Sequence, residues 1–284
     1  KEAYRRGTSV YVTDRVVPML PQVLSNGICS LNPHEDRFTI TAQMDVGMDG
    51  AVRSAQIYPA IIRSDERMTY GNVNRIIAKD EQLVRRYAHL LLMIDNMMGC
   101  SALIRKRRHA LGAVNFETRE SKVIVDEQGV PQDIVLRERG ESERIIEDFM
   151  IAANECVAAY LKWMDLPAMY RVHEQPEPKK VRAFAKVAKT LGYSFIVNVS
   201  HVYPGQFQQL LEEAQGADNF DVLSAYMLRS MQKARYDVQC LGHFGLGLKE
   251  YLHFTSPIRR YPDLVVHRML RKYVFAHDQD ASAM

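Results

Sequence analysis

The chain has 284 residues, a formal net charge of +3, and a composition that is 47% hydrophobic and 25% charged. These values are ordinary for a globular protein with a substantial core, and they exclude a uniformly polybasic chain. Any nucleic-acid site must therefore be a local patch. No run of about 18 uncharged apolar residues occurs, which predicts that no segment spans a membrane.

The cysteines indicate the cellular compartment, and the first residues indicate whether the sequence is a whole protein. Cys29, Cys100, Cys156 and Cys240 are far apart and have no CxxC or zinc-type spacing. Two of them fall in apolar helical stretches, which indicates reduced thiols in a cytoplasmic protein. The chain opens on Lys1 without an initiator methionine, in a sequence typical of the middle of an element, so we expect a piece of a longer protein.

The first part of the chain predicts strands. Residues 8–12 are rich in β-formers, and Tyr11 lies where it could project from a strand end. Residues 15–34 contain three prolines and a glycine, which predicts a loop. Residues 37–44 and 51–63 alternate around the glycines at 47 and 50, which predicts an antiparallel pair.

Helical periodicity begins at Tyr70. A long amphipathic helix is predicted from residue 83 to residue 110, and its end carries the basic run 105–109. This run has two readings, a solvated face or a track for phosphates. A second group of strands is predicted between residues 115 and 137.

The segment 141–164 predicts a core helix, because its apolar side chains form a wide stripe. Glu147 and Asn154 lie seven residues apart on the other side of that helix. A helix this apolar is expected to be covered on most sides, which would place Glu147 at a cleft. A solvent-facing glutamate is the alternative.

The remaining elements complete an α+β pattern. We expect a strand at 168–172, helices at 178–190, 205–215 and 219–236, a glycine-rich strand at 242–248 and a closing helix at 264–275. Strands flank long helices without strict βαβ alternation. The predicted fold is therefore α+β, with a mixed, mostly antiparallel sheet packed against long helices.

The arginine segment, residues 253–263, combines two prolines with adjacent arginines. Ser256 before Pro257 favours a turn or helix start, which predicts a rigid backbone at Arg259 and Arg260. A planar cation on a rigid backbone can bind a phosphate or a carboxylate. The alternative is an arginine pair in surface salt bridges.

Other chemistries find little support in the sequence. The histidines at 243, 253 and 267 lack zinc spacing, and no GxSxG or phosphate-binding glycine motif occurs. A two-metal nuclease site needs several converging carboxylates. The only DxD, at 278–280, lies in a polar tail, so the residues themselves predict no metal site.

Several ordered stretches resemble a known family. They are Gly7-Thr8-Ser9-Val10-Tyr11, residues 17–31 (VPMLPQVLSNGICSL), Glu147 with residues 150–154 (MIAAN), and the closing stretches at 243–248 (HFGLGL) and 255–263 (TSPIRRYPD). Together they resemble the catalytic (RNB) domain of the ribonuclease II/ribonuclease R family of 3′→5′ exoribonucleases, with the bacterial ribonuclease R branch nearest. The resemblance implies one RNB-like catalytic domain over residues 1–284.

The resemblance also implies roles for individual residues. Tyr11 and Phe116 match the aromatics that sandwich bases at the RNA 3′ end, and Arg259 matches the arginine that supports the scissile phosphate. Glu147 matches a glutamate beside the terminal nucleotide, where it can accept from a ribose hydroxyl. The further expected RNA-contact or supporting positions are Arg260, Tyr70 and His243, with core packing as the alternative for Tyr70.

One departure from the family pattern concerns the metal. The aspartates that bind magnesium in this family lie just upstream of the residues that match Gly7 to Tyr11, so the expected domain is truncated at its N-terminus. The resemblance then implies a Mg²⁺-dependent, processive hydrolase in the intact protein, acting as a monomer on the 3′ end of single-stranded RNA and releasing nucleoside 5′-monophosphates. The chain alone is expected to be inactive. The alternative is a catalytically inactive module that binds single-stranded RNA.

Overall fold

The computed structural model describes residues 1–13, 15–116, 120–137 and 139–277. In chain order the helices are α1 (Glu2–Arg6), α2 (Tyr70–Ile77), α3 (Glu81–Arg86), α4 (Leu91–Ala110), α5 (Glu141–Trp163), α6 (Pro178–Thr190), α7 (Pro204–Glu213), α8 (Phe220–Ser230) and α9 (Tyr261–Tyr273). The strands are β1 (Val10–Tyr11), β2 (Val16–Val17), β3 (Asp36–Val46), β4 (Val52–Arg63), β5 (Glu120–Val125), β6 (Pro131–Arg137), β7 (Tyr170–Val172) and β8 (Arg235–Asp237). The mixture confirms the α+β prediction.

The chain divides into two compact units. The first comprises Lys1–Ile104, Thr118–Val157 and His253–Met284, and the second comprises Arg105–Glu117 and Ala158–Leu252. In the part of the chain that the structure describes, the strands form four separate antiparallel pairs, β1 with β2, β3 with β4, β5 with β6 and β7 with β8. The antiparallel character was predicted correctly. The separation into pairs replaces the single mixed sheet that was expected.

The hairpin of β3 and β4 is the longest strand pair of the first unit. Its register runs from Asp36 opposite Arg63 to Val46 opposite Val52, with a bulge at the turn end. The turn that joins the strands contains Gly47 and Gly50, as the sequence predicted. Gly50 has a φ of 75°, and a side chain there would overlap the backbone carbonyl of Leu103 on α4.

The predicted continuous helix from 83 to 110 is wrong. Helix α3 ends at Arg86, a short 3₁₀ turn follows at Ala88–Leu90, and α4 begins at Leu91. The break occurs at Tyr87, which is 5% exposed and packs with Ile76 and Ile94. The backbone leaves the helical region there, with φ −108° and ψ 30°, and this turns the Tyr87 ring into the core.

The second unit has an aromatic core. Phe207 contacts the rings of Phe184, Phe195 and Phe244, with centroids 5.0–5.9 Å apart. Helix α6 contributes Phe184 and two other buried residues to this core, Val181 and Ala188. Stacked and edge-on aromatic pairs add to the free energy of apolar burial, so this cluster contributes to the stability of the unit.

Two further predictions in the second unit need correction. The expected helix 219–236 ends at Ser230, and residues 235–237 form β8 beside β7. The expected strand at 242–248 is a 3₁₀ turn over Phe244–Leu246, because Gly247 adopts a left-handed φ of 64° that a strand cannot contain. Within the residues that the structure describes, no helix is long and apolar enough to cross a membrane.

The turn of the hairpin allows a direct test of close packing. We expect Gly50→Ala to lower the free energy of unfolding by about 3 kcal/mol, because the new Cβ overlaps a backbone carbonyl at a left-handed φ. Gly47→Ala is the matched control, because its Cβ meets only the mobile ends of the Arg53 and Asp49 side chains. Urea unfolding of both variants measures the difference, and equal stabilities would contradict the packing of this turn against α4.

Candidate functional site

The arginine segment is held by the strand that leads to Tyr11. The amide of Ser9 and the hydroxyl of Thr8 both donate to the Arg259 carbonyl, at 2.9 and 3.0 Å. The amide of Tyr261 donates to the Gly7 carbonyl at 2.8 Å. These bonds use the backbone of Arg259 and leave its side chain exposed.

A buried carboxylate fixes the other side of the segment. Asp263 lies in the first turn of α9 and is fully buried. Its Oδ1 accepts from the amide of Ser256 and from the guanidinium of Arg260, both at 2.7 Å. A buried charge is costly unless it is paired, so the arrangement of the segment and α9 that brings Arg260 to Asp263 is favoured.

Helix α5 and the interior of α9 add two more contacts. The Oδ1 of the buried Asn154 accepts from the amides of Phe254 and Thr255, at 2.9 and 3.3 Å. His267 stacks on Phe254 and hydrogen-bonds its carbonyl at 2.9 Å. Burial lowers the pKa of His267, although the Phe254 carbonyl and the Asp263 charge oppose this shift. The segment therefore has side-chain or backbone partners on three sides.

The two adjacent arginines have different environments. The Arg260 side chain is 17% exposed and forms an ion pair with Asp263, while Arg259 is exposed and has no partner among the described residues. The geometry makes Arg259 the cation that an incoming anion can reach. The RNA-contact role predicted for Arg260 stays a prediction, and the structure gives its guanidinium a structural partner.

Tyr11 and Tyr70, both in the first unit, have exposed rings. Tyr11 is 62% exposed on β1, which continues the stretch that binds the arginine segment. Tyr70 is 45% exposed at the first position of α2, and its carbonyl accepts from Ser142 at the start of α5. Both rings are therefore available for stacking.

Glu147 lies on α5 in the first unit, half-exposed. It forms an ion pair with Arg139, which precedes the helix. Asn154, seven residues later on the same helix, is buried and binds the arginine segment, so the two residues do not share an open face. A ligand hydroxyl that reaches Glu147 would have to share its carboxylate with Arg139 or displace Arg139.

Phe116 and His243 belong to the second unit. Phe116 is partly buried and packs against the aromatic core, and His243 accepts the Leu246 amide at its Nδ1, at 3.3 Å. The His243 ring contacts His173 and Tyr251 edge-on. Burial, and then the neighbouring His173 and Arg171, lower the pKa of His243 to about 3, so its ring is neutral at physiological pH. A neutral, half-buried ring positions the 3₁₀ turn and cannot attract a phosphate by charge.

The described residues do not fit a metal centre. Across 1–13, 15–116, 120–137 and 139–277, no group of three or more histidine, cysteine, aspartate or glutamate side chains could hold an ion. The DxD at 278–280 lies outside the described residues. The residues of the site described above can supply anion binding, stacking and hydrogen bonding.

Two residues that the sequence left without a role prove central to the site. Asp263 stood out only as part of the arginine segment, and Asn154 only as a polar residue on α5. A signal existed for Asn154, since the residues one turn before and one turn after it in its helix are apolar. The main-chain partners of Asp263 and Asn154 are 7 and 100 residues away, which no local pattern shows, although Arg260 is only three residues from Asp263.

The comparisons with known proteins bear directly on this arrangement. A family model described as the RNB domain matches residues 1–276. The chain belongs to the RNB family. Ribonuclease R 1 of Lactococcus lactis is 47% identical to this chain, over 96% of this chain and 33% of its own length. Ribonuclease R of Thermotoga maritima is 43% identical, over 96% of this chain and 38% of its own length.

A solved RNB structure has the same fold. Mycoplasma genitalium RNase R in complex with ribose-methylated single-stranded RNA aligns with a TM-score of 0.91 at 33% identity, over 98% of this chain and 43% of that one. The chain thus spans between a third and a half of the length of these relatives. Nucleases of the RNB family are generally metal-dependent.

The Asp263 anchor can be tested by stability. We expect Asp263→Ala to lower the free energy of unfolding by about 3–5 kcal/mol, because it leaves the mostly buried Arg260 cation and the Ser256 amide without an acceptor. Asp36→Ala is the control, since Asp36 pairs with Arg63 on an exposed strand edge and should change little. Urea unfolding measures both variants, and a stable Asp263→Ala variant would contradict the anchor.

Proposed function

We propose that the protein, at its natural length, is a processive 3′→5′ exoribonuclease that hydrolyses single-stranded RNA to nucleoside 5′-monophosphates. Membership of the RNB family and the similarity to ribonuclease R support this proposal. The observation that carries it is the fixed position of Arg259, whose guanidinium is exposed. Its segment is bound through the backbone by Thr8, Ser9, Asn154 and Asp263, and we call this bound segment the mount of Arg259. Such a fixed cation can stabilise a phosphate as its charge increases in the transition state.

The other side chains have supporting roles in this proposal. Tyr11 and Phe116 stack on bases near the 3′ end, which requires no particular sequence because every base has a π-face. Glu147 accepts from a ribose hydroxyl and so favours RNA over DNA. Tyr70 and Arg260 contact or support the RNA, and His243 shapes the turn at Phe244–Leu246.

The remaining expectations belong to the same proposal. We place the residues 1–284 in one catalytic domain of a monomeric, cytoplasmic protein, and we propose Mg²⁺ as its metal. In this proposal Tyr11 and Glu147 bind and position the RNA, and Arg259 stabilises the scissile phosphate.

A second candidate function is a single-stranded RNA-binding module without hydrolysis. The absence of a metal-ligand set among the described residues favours it. The two functions differ in one observable, the fate of the bound RNA. A binding module retards RNA and leaves it intact, whereas an exonuclease shortens it from one end.

End-labelled RNA separates the two functions and tests Arg259. With Mg²⁺, we expect the protein at its natural length to release labelled mononucleotide at once from 3′-labelled single-stranded RNA, and to convert 5′-labelled RNA to a short end product without a ladder of intermediates. Arg259→Ala should lower kcat about 10²–10³-fold with a smaller effect on KM, because the charge on the phosphate grows in the transition state. Arg259→Lys should recover only part of the rate, since lysine lacks the planar fork.

The control for Arg259 is Arg53→Ala, which removes an exposed arginine that pairs with Asp49 on the hairpin. We expect this variant to keep the parent rate. Intact RNA after incubation with the natural-length parent would favour the binding module. An Arg259→Ala rate equal to that of the parent would contradict the role of Arg259.

A further inference from the structure

Helix α6 carries an unusual charge distribution for a surface helix. Its 13 residues, PKKVRAFAKVAKT, include five cations and no acidic residue. Val181, Phe184 and Ala188 are buried on one side, and this side attaches the helix to the aromatic core of the second unit. The position of the helix in the fold is therefore fixed by its apolar face, and the cations play no part in that packing.

Four of the cations lie along one line. Lys179, Arg182, Lys186 and Lys189 are separated by three, four and three residues, which places them on a single face over three helical turns. We call these four residues the cationic stripe. All four are exposed, and the stripe lies on the opposite side of α6 from the buried residues. At the rise of an α-helix it is about 15 Å long.

The stripe is not neutralised by the protein. Among the described residues, no carboxylate forms an ion pair or hydrogen bond with any of its four side chains. The fifth cation of the helix, Lys180, lies off the stripe and faces Glu177 at 3.8 Å. Strand β8 of the same unit shows a cation that is paired within the protein. Its Arg235 forms ion pairs with both Glu174 and Asp237.

Local stability does not account for this arrangement. Like charges three and four residues apart on a helix repel each other, and the stripe contains three such neighbouring pairs. A lysine in the first turn also opposes the positive end of the helix dipole, where acidic residues are favourable. Helix α5 has Glu141 and Glu143 in its first turn, whereas the first turn of α6 has no acidic residue and is preceded by the N-cap Glu177. An external anion would remove both sources of repulsion.

We propose that the cationic stripe binds the phosphate backbone of a nucleic-acid strand, as a second RNA-contact surface in addition to Arg259 and the stacking aromatics. The inference rests on the proposed function for the identity of the polyanion. A row of lysine and arginine side chains over three turns matches consecutive phosphates of one strand and reads no base. Its contribution is therefore electrostatic, independent of sequence, and the same for RNA and DNA.

Salt-dependent binding tests this surface. A 5′-fluorescein-labelled 20-nucleotide single-stranded RNA is titrated with the protein in EDTA, which prevents metal-dependent hydrolysis, at several KCl concentrations. In the stripe variant, Lys179, Arg182, Lys186 and Lys189 are all changed to Gln. The charge-matched control changes four exposed cations elsewhere to Gln, Arg67, Lys233, Lys249 and Arg271.

We expect the stripe variant to bind at least about tenfold more weakly than the control at about 0.1 M salt. The slope of log K against log salt should become shallower by about 2–3, since each lost phosphate contact on a single strand contributes about 0.7. A DNA strand of the same length should show the same loss. The melting temperature of the stripe variant should equal or exceed that of the parent, because repulsion within α6 is removed.

Two results would overturn the inference. One is a stripe variant that binds RNA within twofold of the control with an unchanged salt slope. The other is unchanged RNA affinity together with a loss of binding to phosphatidylserine vesicles, which would assign the stripe to a membrane surface. If the parent binds RNA and the stripe variant binds equally well, only this inference fails. If the parent binds no RNA, the proposed function fails with it.

Discussion

One buried carboxylate determines the geometry of the arginine segment. Asp263 accepts from the Ser256 amide and the Arg260 guanidinium through the same oxygen, and none of its surface is exposed. Arg260 has an extended backbone, with φ −133° and ψ 122°, so the chain around it can direct neighbouring side chains to different sides. Because Arg260 points inward to Asp263, Arg259 is left with its guanidinium exposed. The two arginines thus have separate tasks, one structural and one available to an anion.

This geometry forms only when distant parts of the chain meet. Thr8 lies 251 residues from Arg259, and Asn154 lies 100 residues from Phe254. Three elements of the first unit, β1 with its preceding residues, α5 and α9, therefore converge on one short segment. A rigid mount of this kind removes conformational freedom before a ligand binds, which is a general source of affinity and rate.

Some elements could be predicted from sequence because their signals are local. Helices α5 and α6 show an apolar stripe with helical spacing, and the β3–β4 hairpin alternates around a glycine turn. The expected helix from 83 to 110 could not be corrected locally, because Tyr87 leaves the helix to reach a core formed by α2 and α4. The sequence after His243 predicts a strand, and only the left-handed φ of Gly247 in the structure shows that it is a turn.

The candidate site likewise has features that the sequence predicts and features that it does not. Arg259, Tyr11 and Tyr70 were expected to contact RNA, with core packing as the alternative for Tyr70, and the structure places all three at the surface. Sequence could not show that His243 is half-buried and neutral or that Arg260 is paired with Asp263, because both depend on partners that only the folded chain brings together.

The most direct test of a rigid Arg259 mount is native-state hydrogen exchange at the amides of Ser9, Phe254, Ser256 and Tyr261. Each of these amides donates to a partner in the mount of Arg259. If the mount is rigid, all four should exchange only through large-scale unfolding of the first unit, with similar free energies of opening. Exchange at the rate of an unprotected amide would show that the segment is mobile, and it would contradict the claim that Arg259 is held in place before RNA binds.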